Sequence, residues 1–282
     1  MVKIAAMGDN VVDCYLSKNT MFPGGSCLNV SVFIRKFGGE SAYVGAIGRD
    51  RASDIIATAL ADEGVDITHL RRLDGPTAYC VIGHRNADRV FVNYDLGISM
   101  FEPAEADHAF IGGYDAVHIG QSSGLDSRLA RVAGENRLSY DFSDKFTDQR
   151  IAEIAPLCFL ASVSAKDDAN DNALALMHQV LAAGAEWVLV TRGAQGAILG
   201  HGDDIFEVPA YRTTVVDTLG AGDTFIARTL YGLIKGETPN ALLEAAAKAA
   251  AETCGYYGAV GHGAPIDISV DVEALRIAYP DL

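Results

Sequence analysis

Asp217-Thr218-Leu219-Gly220-Ala221-Gly222-Asp223 runs directly into an apolar helical pattern that begins Thr224-Phe225-Ile226. The stretch reads as a phosphate cradle beside a catalytic base. Gly220 and Gly222 around Ala221 let the backbone turn tightly with N–H groups facing outward, and the first turn of the helix adds unpaired donors and its positive dipole end. That suits a transferring phosphoryl group. Asp223 sits where this anion hole meets the helix, so its carboxylate can take the proton of a substrate hydroxyl lying in line with the phosphoryl group. A bare G-x-G-D would mean only a turn and a helix cap. The whole heptad with its flanks is far more specific.

Outward from this stretch, short β-like runs alternate with helical periodicity. Strand-like runs fall at residues 2–7, 42–47, 116–119, 138–142, 158–161 and 187–191. Helical patterns fall at 29–37, 52–63, 127–136, 170–183, 221–234, 240–254 and 272–278. The alternation predicts an α/β fold, a doubly wound and mostly parallel sheet flanked by helices on both faces. In such sheets ligands lie beyond the carboxyl ends of the strands. Two segments break the alternation: residues 11–16, and the pair 78–84 and 89–95 around the polar turn Arg85-Asn86-Ala87-Asp88. These read as antiparallel strands able to pair with one another.

Composition narrows the function. The chain has 282 residues, with 37 acidic against 22 basic side chains and a net charge of −15, which disfavours nucleic acid or an anionic membrane as partner. Any phosphate must therefore be held locally. Cys14, Cys27, Cys80, Cys158 and Cys254 are odd in number and lack C-x-x-C spacing, so neither a disulfide framework nor a zinc site is expected, and a reducing cytoplasm is the expected setting. The apolar run at the amino terminus is too short for a signal peptide, and no later run approaches the ~20 apolar residues of a membrane helix. No Walker A motif occurs, and Phe225 stands where a dinucleotide fingerprint needs its third glycine. P-loop and NAD readings are therefore poor.

The heptad matches D-T-x-G-A-G-D in full, and Gly24-Gly25-Ser26-Cys27-Leu28-Asn29 matches a Gly-Gly pair followed by an asparagine on the next helix. On these two signatures the chain resembles the ribokinase-like (pfkB-type) family of carbohydrate kinases, over essentially its whole length. The resemblance implies a single kinase domain over 1–282, with strands inserted at about 11–22 and 76–97 forming a small antiparallel β lid over the sugar. It implies sugar contacts from Asn10, Asp13, Gly24, Gly25 and Asn29, with Asp9 left structural. It implies ATP as donor, with Asp223 as base and the 220–222 amides, Ala221 included, as the anion hole. Thr191, Gly193 and Gly196 of Thr191-Arg192-Gly193-Ala194-Gln195-Gly196 would wall the nucleotide site together with Thr218, Gly220, Gly222 and Gly258. Ala259 is a weaker candidate there, and Tyr256 and Tyr257 read as core aromatics. Lys166 and Arg192 are possible phosphate partners, better read as surface charges. Mg2+ is expected as the ATP counterion, with Asp217 helping to order its shell indirectly, and a monovalent cation is a further possibility. Many relatives carry N-x-x-E near the metal. Here the region reads Ala161-Ser162-Val163-Ser164-Ala165-Lys166-Asp167-Asp168, so Asp167 or Asp168 would have to supply the charge. Lid strands pairing across a homodimer are also implied.

Gly8-Asp9-Asn10 with Val12-Asp13, Asp88-Arg89-Val90-Phe91 and Asp141-Phe142-Ser143-Asp144-Lys145 are similar to one subgroup, the bacterial fructoselysine 6-kinases. That likeness implies a fructosamine, a fructose unit joined through nitrogen to an amino acid, phosphorylated at the 6-hydroxyl. Such a ligand carries both an ammonium and a carboxylate. Arg85 or Arg89 could meet the carboxylate, and Asp141 or Asp144 the amine. Fructose, ribose and nucleosides stay open as substrates, as does a sugar-binding sensor that lost its chemistry.

Overall fold

Residues 1–85, 88–165 and 170–279 are described by the structure, a computed structural model. Among them, one sheet takes nine strands in the order β13-β12-β11-β10-β9-β8-β1-β4-β5. These are β1 (Lys3–Met7), β4 (Glu40–Ile47), β5 (Leu70–Arg72), β8 (Ala116–Gly120), β9 (Arg137–Asp141), β10 (Cys158–Ser164), β11 (Trp187–Thr191), β12 (Ala197–His201) and β13 (Asp204–Val208). Every pair from β11 across to β5 is parallel, and the β11–β12 and β12–β13 pairs are antiparallel. A second sheet takes five strands in the order β14-β3-β2-β6-β7, namely β2 (Val11–Tyr15), β3 (Thr20–Gly24), β6 (Tyr79–Arg85), β7 (Asp88–Asp95) and β14 (Ala264–Pro265).

Near-continuous apolar runs make the central strands suited to burial on both faces. Alternation along β1 shows the result: Ile4 and Ala6 enter one core, Ala5 and Met7 the other. The first core is covered by α1 (Ser26–Lys36), α2 (Arg51–Asp62), α7 (Ala221–Lys235) and α8 (Pro239–Thr253), through residues such as Leu28, Phe33, Ile56, Leu230 and Leu242. The second is covered by α3 (Glu105–Ile111), α4 (Leu129–Glu135), α5 (Asp148–Ile154) and α6 (Asn170–Ala182), through Ile111, Leu129, Ile151 and Met177. A last helix, α9 (Val272–Ala278), lies near the carboxyl end. Strand order reverses at β1, with β4 on one side and β8 on the other, which is the place where doubly wound sheets form a ligand crevice.

The structure departs from the sequence reading in two places. β2 and β6 pair in parallel, with Val12 opposite Tyr79, so the smaller sheet is antiparallel only at β2–β3, β6–β7 and β14–β3. The long connection through β4 and α2 lets two remote strands lie side by side in the same direction, which no hairpin could do. Strands β3, β5, β12 and β13 and the short helices α3 and α5 had no sequence expectation. They are brief or only partly buried, and so carry little periodicity. Asn86, Ala87, Lys166, Asp167 and Asp168 lie outside the described residues.

Asp50 ties the central sheet to the smaller one. It caps α2 by accepting from Ser53 N–H at 2.9 Å, and it takes both Thr77 N–H at 2.8 Å and Thr77 Oγ1–H at 2.6 Å, just before β6. Burial would raise its pKa, but these hydrogen bonds win and hold it below the ordinary carboxylate range. A depressed carboxylate stabilises above its unfolded pKa and loses that contribution as pH falls through its folded one. Asp50→Ala is therefore expected to cost about 1–2 kcal/mol at pH 7 in urea unfolding. The gap between variant and parent should shrink below about pH 4; an equal gap at both pH values would contradict the assignment.

Candidate active site

Two helix N-termini meet at the carboxyl end of β1. Helix α1 starts at Gly25, whose φ of 102° and lack of a side chain let it pass 2.7 Å (measured from an ideal Cβ) from Asn10 Cα. Asp9 caps it from outside, accepting from Ser26 N–H at 2.8 Å and Cys27 N–H at 3.4 Å. Helix α7 starts at Gly220, with φ 77°, where a Cβ would stand 2.2 Å from that of Ala259. Asn29, one turn into α1, donates from Nδ2 to Asp223 Oδ2 at 2.7 Å, binding the two helix starts together. The two heptad glycines therefore do different work. Gly220 makes the turn, whereas Gly222 is already helical and a Cβ there would project into open space. Its bareness leaves the first-turn amides of α7 approachable.

That open space is a cleft of about 210 Å³ lined by Asp141, Ser143, Ser164, Thr191, Gly220, Gly222, Asp223 and Ile226. It gathers the carboxyl ends of β9, β10 and β11 against the start of α7. Burial raises the pKa of Asp223; the Asn29 hydrogen bond pulls it back and the charge of Asp9 pushes it up. Burial likewise pushes Asp141 up to about 7, with the charge of Asp223 adding to the shift. Asp141 Oδ1 accepts from Ser162 Oγ at 2.8 Å and Ser143 N–H at 3.1 Å. Asp141 therefore keeps a proton into the neutral range. A larger groove of about 320 Å³ lies at the amino end of β4 among Arg35, Glu40, Ser41, Asp66 and Tyr114, away from these helix starts.

Two buried amide oxygens lack a hydrogen-bond partner, Asn29 Oδ1 on α1 and Asn10 Oδ1 in the loop after β1, while the Ser26 hydroxyl interacts with Asp223. The amide nitrogen of Asn10 is spent on Tyr43 Oη at 3.0 Å and the Ala46 carbonyl at 2.8 Å. Asp13 is buried on β2, and Gly24 makes room for it, since a Cβ there would lie 2.0 Å from Asp13 Oδ2. Gly24 and Gly25, expected from sequence as sugar contacts, also let the chain approach itself. The side chains of Arg85 and Arg89 lie outside what the structure describes. Asp144 is exposed, and Asp141 lies in the cleft beside Gly222 and Thr191.

On the nucleotide side, Thr191 lines the cleft, and Gly193 sits exposed in the turn after β11. Gly196 is required by the β11–β12 turn itself, with φ 91° and a Cβ position 2.1 Å from the Val208 carbonyl. Arg192 is no surface charge: at 2% exposure it donates to Glu207 Oε1 at 2.7 Å and to the Gln195 carbonyl at 3.2 Å. Thr218 is exposed, and its carbonyl accepts from Ala221 N–H at 3.3 Å. Asp217 is buried and is not one of the residues lining the cleft. Its Oδ2 accepts from Tyr15 Oη at 2.5 Å and Gly258 N–H at 3.2 Å, and its Oδ1 from Leu219 N–H at 3.1 Å. Its carboxylate thus accepts from three protein donors. Gly258 backs onto Phe22, and Ala259 lies under Gly220, so both pack the loop. Tyr257 packs on Tyr15 as a core aromatic, while Tyr256 is exposed. Sequence reasoning missed Tyr15, Ser26, Ser143 and Ser164, whose single hydroxyls carry no motif.

Comparison with known proteins agrees with this geometry. The profile of the pfkB family of carbohydrate kinases matches residues 3–266. The chain belongs to that family. It is 36% identical over 269 residues to a fructosamine kinase of Bacillus subtilis, covering 94% of this chain and 95% of that protein. It is 34% identical to a fructoselysine 6-kinase of Escherichia coli, covering 92% of this chain and all of that one. In fold it is similar to Arabidopsis thaliana ribokinase, solved with ribose and ATP, at a TM-score of 0.81 and 20% identity over 98% of each chain. An E. coli ribokinase II homologue, solved with ATP and Mg2+, superposes at a TM-score of 0.79 with 19% identity over the whole of each chain.

For this carbohydrate kinase, Gly222→Val should fold with stability within about 1 kcal/mol of the parent, because valine is no worse than glycine in a helix. Its branched side chain would fill the approach to the first-turn amides, and kcat should fall by about a hundredfold or more. Unimpaired turnover would remove Gly222 from the phosphoryl site. The carboxylate pair gives a second expectation. Log kcat/KM should bend near pH 7 as Asp141 loses its proton, and Asp141→Asn should erase that bend while keeping the acid limb set by Asp223. A bend that survives the substitution would belong to another group.

Proposed function

We propose that this sugar kinase transfers the γ-phosphoryl group of ATP to the 6-hydroxyl of a fructosamine such as fructoselysine. The observation that carries the chemistry is the placement of Asp223: partly buried, oriented by Asn29, and one residue from the uncovered first-turn amide of Gly222. Asp223 takes the hydroxyl proton as the sugar oxygen attacks the γ-phosphorus, and the bond to the β-phosphate oxygen breaks to release ADP. The amides at the start of α7 meet the charge on the transferring group, so that positioning and electrostatics supply most of the rate. A carboxylate with a raised pKa is the better base, because its proton affinity lies nearer that of the medium.

Sugar hydroxyls match the unpartnered polar atoms. Asn10 Oδ1 and Asn29 Oδ1 are buried without partners, a cost that ligand hydroxyls would relieve. Asp13 on the neighbouring strand adds an acceptor, and the smaller sheet acts as the lid over the sugar. Among the described residues no group of three or more His, Cys, Asp or Glu could hold a metal ion. Mg2+ held chiefly by phosphates and water needs no such group, and the hard oxygens of Asp141, Ser143 and Ser164 suit its outer shell. When bound, Mg2+ would neutralise phosphate charge.

The fructosamine class rests on the two relatives at 34–36% identity and on the local likeness at 88–91 and 141–145. The test is a panel of sugars with ATP and purified protein. The kcat/KM for fructoselysine or a related fructosamine should exceed that for fructose by at least about tenfold, which needs only ~1.4 kcal/mol and is within reach of one charge-assisted contact. Arg89→Ala should weaken ligands with the amino-acid carboxylate selectively. Fructose or ribose as the better substrate, or an equal loss for all sugars, would refute the fructosamine reading while leaving the kinase intact.

A further inference from the structure

Tyr15 is fully buried on β2, in the smaller sheet, yet its hydroxyl reaches out of that sheet to Asp217, the first residue of the heptad. Its ring is fixed edge-on between Phe22, with centroids 5.4 Å apart, and Tyr257, 6.0 Å apart. The hydroxyl therefore has little freedom, and a buried phenol needs a partner. Asp217 collects donors from three separate elements: Tyr15 on β2, Leu219 in the heptad turn, and Gly258 in the loop after α8. Tyr15 supplies the shortest of the three, at 2.5 Å against 3.1 and 3.2 Å. Asp13 and Tyr15 lie two apart on one strand and so share a face. The strand that presents Asp13 to a sugar is thus bonded to the residue that orients the turn into Gly220.

We propose that Tyr15 is a positioning residue, which through Asp217 holds the lid strand and the phosphate-binding turn in fixed register so that hydroxyl and phosphoryl group are aligned. A misplacement of about 1 Å between reacting atoms can cost on the order of a hundredfold in rate. Register across the two sheets therefore bears on turnover more than on binding. The turn does not need Tyr15 in order to fold. The N–H groups of Val216 and Asp217 donate to the Cys254 carbonyl at 2.8 and 3.2 Å, which anchors this backbone to the end of α8 independently.

The test is Tyr15→Phe, which keeps the ring contacts and removes only the hydroxyl, assayed with whichever sugar the parent enzyme turns over best. The expected result is a loss of about tenfold or more in kcat, with KM for sugar and for ATP each within about threefold of the parent. A general structural defect would instead lower the folded fraction or move all three constants together, and either pattern overturns the proposal, as does an unchanged kcat. Asp217→Asn and the double variant complete a cycle. If Tyr15 acts through Asp217, the double variant loses no more than the worse single one; losses that multiply overturn the coupling. The proposal rests on the reading of residues 220–223 as the phosphoryl site, and Asp223→Asn separates the two. An active Asp223→Asn enzyme sinks that reading, whereas an inactive one beside a fully active Tyr15→Phe enzyme sinks the coupling alone.

Discussion

The hydrogen bond from Asn29 to Asp223 holds two helix N-termini against each other, and the rest of the site is arranged around that contact. Aligned positive dipole ends repel, and the first-turn amides of both helices lack intrahelical acceptors. Carboxylates resolve this differently on each side. Asp9 satisfies the start of α1 completely enough to be structural, taking Ser26 and Cys27 N–H groups and the Ser123 hydroxyl. Asp223 belongs to α7 but turns to α1 for its hydrogen bond, which leaves the α7 amides for a ligand anion. One helix start is thus closed and the other open, although each begins at a glycine with positive φ.

The charge balance follows from the same geometry. The charge of Asp9 raises the pKa of Asp223, and the charges of Asp223 and Asp9 raise that of Asp141, in a protein already at −15. Such a cleft repels a free polyphosphate, so binding of ATP has to be local: uncovered amides, a dipole end, and a counterion that arrives with the phosphates. A partly protonated Asp141 lowers the repulsion.

The fold was legible because its central strands, β1, β4, β8, β9, β10 and β11, are buried on both faces, and that burial leaves continuous apolar runs. Every one of them was visible in the sequence to within a few residues. The smaller sheet was half legible. The runs of β2, β6 and β7 stood out, but the parallel pairing of β2 with β6 depends on a crossing that no local pattern encodes. At the site, Asp223 and the glycines were visible as residues, though not in their separate duties. Gly220 and Gly25 have positive φ, Gly24 makes room for Asp13, and Gly222 has neither constraint. A string of letters treats them alike. The partners of Asp217, Tyr15 and Gly258, are likewise remote in sequence and common in type, so no local pattern shows them.

The two sheets join at residues 8–10 and 24–25, where β1 gives way to β2 and β3 to α1, and these two crossings pack directly on each other. A Cβ at Gly8 would meet Ser123 Oγ at 2.0 Å, and one at Gly25 would meet Asn10 Cα at 2.7 Å. Tyr43 closes the joint from below, its hydroxyl lying 2.7 Å from the Gly8 carbonyl and 3.0 Å from that of Asp9 while accepting from Asn10 Nδ2. So little free volume leaves no slack for the smaller sheet to swing about this point. The joint fixes where Asn10 and Asp13 stand relative to Asn29 and Asp223, so on the proposed reading the groups for sugar and phosphoryl are set in place by folding itself.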